Sequence, residues 1–99
     1  LLALLLTLLE NTESNKLYFV YFIASKKHNK TKSYVGYTNN LKQRLMKHNN
    51  GNGAKSTRGR KWSIVFNKKF KTKSSAMKWE YYLKKNIKLR KKLMSLYVK

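Results

Sequence analysis

The run Leu17-Tyr-Phe-Val-Tyr-Phe-Ile23 is apolar or aromatic at every position. Successive side chains of an extended strand point to opposite faces, so a strand with one wet face reads apolar, polar, apolar. This run has no polar face to give to water. It predicts a strand covered on both sides and central in its sheet. The polar stretch Ser25 to Lys32 reads as a connection, and Ser33-Tyr-Val-Gly-Tyr37 as a second strand, paired with the first as a hairpin. Gly36 interrupts it, as glycine does where another backbone or a ligand comes close. Trp62-Ser-Ile-Val-Phe66 reads as a third strand.

Between the second and third strands, Asn39 or Asn40 can cap a helix that runs to the Asn49-Asn50-Gly51 breaker. On it Leu41 and Leu45 share the core-facing stripe, and Arg44 and His48, one turn apart, lie together along the stripe's edge. Asn52 to Lys61 holds two glycines and four cations with no apolar residue after Ala54, so it predicts a flexible cationic loop. Ser74 or Ser75 then caps a helix through about Lys85, and a last basic helix runs from about Lys88 to Tyr97. The expectation is an α+β domain over residues 15–99, with a small three-stranded antiparallel sheet flanked by helices. Leu1 to Ser14 reads as an appended segment. Its apolar stretch, Leu1 to Leu9, is much shorter than the roughly 20 residues of a membrane-spanning helix and lacks the marks of a signal peptide.

Charge narrows the function. The 99 residues hold 24 Lys plus Arg against 3 Asp plus Glu, a formal net charge of +21. Such self-repulsion points to a polyanionic partner, and nucleic acid is the first candidate. A membrane surface also attracts cations, but that reading needs one basic amphipathic helix rather than lysines spread over strands, loops and helices. Stable membrane association is therefore not expected. Cysteine is absent, which excludes disulfides, thiolate zinc sites and cysteine nucleophiles.

Past Glu13 the chain has one acidic side chain, Glu80. Its helical position falls between Ala76 and Leu83, on the apolar face. A lone acid there needs a partner, and two readings stand level: a structural ion pair with a lysine or arginine, or a ligand of a catalytic metal. A hard divalent cation held by one carboxylate, waters and a substrate phosphate is normal chemistry for Mg²⁺. Tyr21 and Tyr34 lie on the two strands expected to pair. Each taken alone is a core tyrosine; with Arg44, His48 and Glu80 they form a more specific set.

Phe19-Val20-Tyr21 followed by Tyr34-Val35-Gly36 resembles the paired motifs of the GIY-YIG nuclease family, with Phe19 standing where the name has glycine. Arg44 ten residues after Tyr34, His48 one turn later, and Glu80 on a later helix resemble that family too. The stretches from Tyr34 to Leu45, His48 to Arg60 and Ala76 to Tyr81 are similar to its small single-domain bacterial members. That branch also contains the catalytic subunit of a structure-selective endonuclease that cuts flaps and branched junctions.

The resemblance implies a metal-dependent DNA endonuclease in which Glu80 holds one Mg²⁺ or Mn²⁺. Tyr21 then deprotonates the attacking water, His48 accepts the tyrosine's proton, Tyr34 orients water or phosphate, and Arg44 neutralises transition-state charge. Lys55, Arg58, Arg60 and Lys61, on the loop, are expected to track the DNA backbone. A bacterial cytoplasmic, nucleoid-associated location goes with this reading. The alternative class is a non-catalytic basic nucleic-acid-binding module in which Glu80 is only an ion-pair partner; a membrane-surface peptide built on the leucine-rich start is a third.

Overall fold

The computed structural model describes residues 16–98, so the appended segment expected at Leu1 to Ser14 lies outside the described residues. The elements are β1 (Tyr18–Lys27), β2 (Lys30–Thr38), α1 (Leu41–Asn49), a 3-10 turn (Lys55–Thr57), β3 (Ser63–Phe70), α2 (Lys73–Lys85) and α3 (Ile87–Tyr97). The strands form one antiparallel sheet in the order β2-β1-β3, so the doubly apolar strand is central. This is the expected α+β architecture.

The alternation of β1 divides the protein into two cores. Val20 and Phe22 project to one face, where they meet Val35 of β2, Ala76 and Leu83 of α2, and Leu93 of α3. Tyr21 and Ile23 project to the other, with Trp62 and the half-buried Tyr34, Leu41, Leu45 and Ile64. Val20, Phe22 and Ile23 are at most 1% exposed. Burying each such side chain contributes about 1.5–3 kcal/mol, and no polar substitution on either side of β1 escapes that loss. The sheet therefore lies between the α2/α3 pair on one face and α1 with its following loop on the other.

Several boundaries differ from the sequence expectation, each for a local reason. The hairpin strands extend to Lys27 and back to Lys30, joined by His28 and Asn29 at φ 52 and 63. That pair of positive φ values is what a two-residue type I′ turn requires. The polar ends of both strands hide this in an apolar pattern. β3 starts one residue after Trp62 and continues to Phe70 through the exposed Lys68 and Lys69. A register shift opposite Phe22 and Ile23 marks a bulge in its pairing with β1.

Asn40 caps α1, its side chain accepting from the Gln43 N–H at 3.0 Å. The cap of α2 is Thr72 rather than Ser74 or Ser75; its hydroxyl oxygen accepts from the Ser75 N–H at 3.1 Å. Asn86 both ends α2 and caps α3, its N–H donating to the Tyr82 carbonyl and its Oδ1 accepting from the Leu89 N–H. The last helix thus begins at Ile87, directly after that one residue.

Candidate active site

A buried chain of hydrogen bonds connects β1, α1 and the loop after α1. The Tyr21 Oη lies 2.7 Å from His48 Nε2, and His48 Nδ1 lies 2.9 Å from Thr57 Oγ1. Thr57 Oγ1 in turn donates to the Ala54 carbonyl at 2.8 Å. His48 and Thr57 are 1% and 0% exposed, so these partners replace water. The helical wheel placed His48 at the edge of α1's stripe; the structure puts it wholly inside, because the following loop closes over it.

That loop is not the unanchored segment its composition predicts. Thr57 is buried beneath it, and the Trp62 indole N–H donates to the Thr57 carbonyl at 2.8 Å. Asn49, beside His48 on α1, accepts from the Trp62 N–H at 2.6 Å and donates to the Trp62 carbonyl at 3.2 Å. The loop is therefore held at its end by Asn49 and at its turn by His48. Its backbone passes so close to the imidazole that a Cβ at Gly53 would lie 2.5 Å from His48 Nδ1. Gly36 has the same role under Tyr21: a Cβ there would collide with the phenol oxygen and ring. The close approach expected at Gly36 comes from a side chain of the neighbouring strand.

In front of Tyr21 opens a cavity of about 450 Å³, lined by Tyr21, Tyr34, Gly36, Arg44 and Glu80 among others. The edge strand β2 separates α1 from α2, and Glu80 comes from α2 while Arg44 comes from α1. Both nevertheless line this one cavity, together with Gly36, which presents no side chain. The rings of Tyr21, Tyr34 and His48 form a triangle, with centroids 6.3 Å apart for the two tyrosines and 5.6 and 5.0 Å from each to the histidine. Lys16 and Lys73 line the same cavity and carry no apolar pattern that marks them in the sequence. Lys73 opens α2, the helix end that disfavours a cation, and that misplacement is the one signal it gives.

Burial, followed by the Tyr34 hydroxyl, raises the Tyr21 pKa well above its ordinary 10.0; Arg44 opposes this and Glu80 adds to it. The phenol is therefore protonated at neutral pH and donates to His48. Burial, followed by the Arg44 charge, lowers the His48 pKa below its ordinary 6.5, which keeps the imidazole neutral and able to accept.

Glu80 makes an ion pair with Lys84 at 3.4 Å, four residues along α2, while its side chain keeps 18% of its exposure. Lys84 is 48% exposed, so the pair is a loose surface contact rather than a buried clasp. No three His, Cys, Asp or Glu side chains gather among the described residues. A single carboxylate in a polar cavity does not make an all-protein cage, but it fits Mg²⁺, which retains waters and takes one or two carboxylates with a phosphate oxygen.

The basic loop residues lie apart from this cavity. Arg60 and Lys61 line a second one of about 420 Å³ with Lys26 and Lys27. Arg60 also has structural partners, donating to Ser25 Oγ at 3.3 Å and to the Lys30 carbonyl at 2.8 Å. Lys55 and Arg58 are exposed. Asn86 is occupied as a helix cap and also donates to the Tyr82 hydroxyl at 3.0 Å. No described helix is long and apolar enough to cross a membrane.

The profile of the GIY-YIG catalytic domain matches residues 17–93 of this chain. A UPF0213 protein of Oceanobacillus iheyensis is 54% identical over 52 residues, covering 52% of this chain and 60% of that relative. The UPF0213 protein YazA of Bacillus subtilis is 46% identical over 61 residues, covering 61% and 62%. The chain thus matches about three fifths of the length of these curated relatives. The solution NMR structure of a UPF0213 protein from Bacillus halodurans is 38% identical, covers 81% of this chain and 84% of that one, and superposes with a TM-score of 0.45.

Two outcomes test this geometry. Gly36→Ala should displace the Tyr21 ring and cost about 1–3 kcal/mol, the usual penalty of overpacking, measured by urea denaturation. His48, neutral when folded and ordinary when unfolded, takes up its proton more readily in the unfolded chain, so stability falls as pH drops through about 6.5. Denaturation midpoints at pH 7.5 and 5.5 should therefore differ in the parent protein, and the difference should shrink in His48→Gln.

Proposed function

Since the chain belongs to the GIY-YIG catalytic-domain family, we propose that it is a metal-dependent endonuclease that hydrolyses phosphodiester bonds in DNA. The observation that carries this reading is the convergence of Tyr21, Tyr34, Arg44 and Glu80 on one cavity, with His48 hydrogen-bonded behind Tyr21. The formal charge of +21 supports a polyanionic substrate.

A phenol held protonated is a poor base if it must ionise first. It serves well as a relay. As a water attacks phosphorus, its proton passes to the Tyr21 oxygen while the Tyr21 proton passes to His48 Nε2, so no free phenolate forms. The bond from water oxygen to phosphorus forms, the bond from phosphorus to the leaving oxygen breaks, and His48 ends as imidazolium. The leaving oxygen takes a proton from solvent. Arg44 lies where it can neutralise charge that builds on the phosphate, and the Tyr34 hydroxyl can orient water or a phosphate oxygen. Glu80 would hold a divalent cation, Mg²⁺ or Mn²⁺, which when bound supplies charge neutralisation at the phosphate.

Small size and a basic surface without a base-reading element among the described elements favour recognition of DNA shape, such as flaps or junctions, over a long sequence. The loop cations Lys55, Arg58 and Lys61 would position the backbone, with Arg60 ordering the loop as well. The ion pair of Glu80 with Lys84 favours a second reading, a non-catalytic nucleic-acid-binding module.

Glu80→Gln separates the two. On the nuclease reading, Mg²⁺-dependent cleavage of flap and junction DNA falls by roughly two to three orders of magnitude, while stability changes by less than about 1 kcal/mol because the partner Lys84 is half-exposed and the pair is loose. Full activity in the folded variant refutes the reading. Replacing Lys55, Arg58 and Lys61 by glutamine, with Arg60 left intact, should make the slope of log affinity against log salt shallower by about 2–3. An unchanged slope in filter binding places the DNA elsewhere.

A further inference from the structure

Thr57 has no role in the reading above, yet it is completely buried and its hydroxyl contacts the catalytic candidate His48. We infer that Thr57 is a positioning residue that fixes the tautomer of His48, and so sets the direction of the proton relay. This inference rests on the proposed nuclease mechanism.

A threonine hydroxyl has one hydrogen to donate and lone pairs to accept with. The Ala54 carbonyl, 2.8 Å from Thr57 Oγ1, can only accept, so the hydroxyl hydrogen belongs there. If it pointed at His48 instead, two oxygen lone pairs would face each other across that short distance. His48 Nδ1, 2.9 Å from the same oxygen, must then carry a hydrogen and donate it. A neutral imidazole has one N–H, which leaves Nε2 bare, 2.7 Å from the Tyr21 hydroxyl. The ring nitrogen facing the phenol is therefore an acceptor, as the relay needs. Free histidine in water prefers the opposite tautomer, so the protein has to impose this one.

The surroundings keep the carbonyl and hydroxyl in place. The Trp62 indole holds the Thr57 carbonyl, the Thr57 N–H also donates to Ala54 at 3.1 Å, and Gly53 lets the loop reach the imidazole. The tight 3-10 turn at Lys55–Thr57 is what brings the Ala54 carbonyl under the Thr57 hydroxyl. A valine at this position has the same branched shape and neither donates nor accepts.

The test compares the parent protein, Thr57→Ser and Thr57→Val. Histidine ¹⁵N spectra at neutral pH report the tautomer of His48 without any substrate, and single-turnover cleavage of flap DNA with Mg²⁺ reports the relay. The expected result is an Nδ1–H tautomer in the parent and in Thr57→Ser. Thr57→Val should lose that form and cut roughly tenfold or more slowly, with an unchanged apparent affinity for DNA. An Nε2–H tautomer in the parent overturns the inference, as does a Thr57→Val protein that keeps both the Nδ1–H form and the parent's rate. If Thr57→Val does not fold, the parent's spectrum and the rescue by serine decide. A folded parent that holds the Nδ1–H form and cuts no DNA leaves the assignment of Thr57 supported and overturns the nuclease reading instead.

Discussion

One strand with two dry faces sets the terms for the rest of the protein. Because β1 must be covered on both sides, α2 and α3 close one face and α1 with its following loop close the other. Tyr21 sits on the second face and is 3% exposed, so its phenol has to find a partner inside the protein. His48 is that partner, and it is itself buried only because the loop after α1 folds back over it. The cavity opens in front of Tyr21, whose ring lies against Gly36 because that residue has no side chain.

The burial of Tyr21 has opposite effects on its two chemical options. It opposes a free phenolate and strengthens a hydrogen bond to a neutral acceptor. The same burial that raises the Tyr21 pKa lowers that of His48, and the Arg44 charge acts against imidazolium. Both shifts favour the pair phenol and neutral imidazole at rest. Proton transfer from phenol to imidazole alone is then uphill; in the proposed relay the water's proton replaces the one the phenol gives up, so no phenolate has to be stabilised.

Much of this was legible in the chain. The unbroken apolar run marks the sheet's centre, and the resemblance to the GIY-YIG motifs singles out Tyr21, Tyr34, Arg44 and Glu80, which line one cavity. Periodicity failed where contacts are not periodic. A threonine within Lys-Ser-Thr-Arg gives no sign that it will be buried, because its anchors, Trp62 and His48, are supplied by other elements. The depth of His48 is hidden for the same reason: a helical wheel describes one helix and not the loop laid over it. Thr72, Ser74 and Ser75 are all capping residue types within four positions, and only the bond from the Ser75 N–H to Thr72 distinguishes them.

A three-stranded sheet has two open borders, here the outer sides of β2 and β3. Unsatisfied backbone groups along such borders invite another copy of the chain to add its own strand, and natural sheets guard against this with lysine. Lys30 and Lys32 stand on one border strand and Lys68 and Lys69 on the other, all exposed. Lysines so placed are of the kind that guards sheet edges. An engineer who strips these lysines to weaken affinity for a polyanion removes that guard at the same stroke, and loss of solubility is then no measure of lost binding.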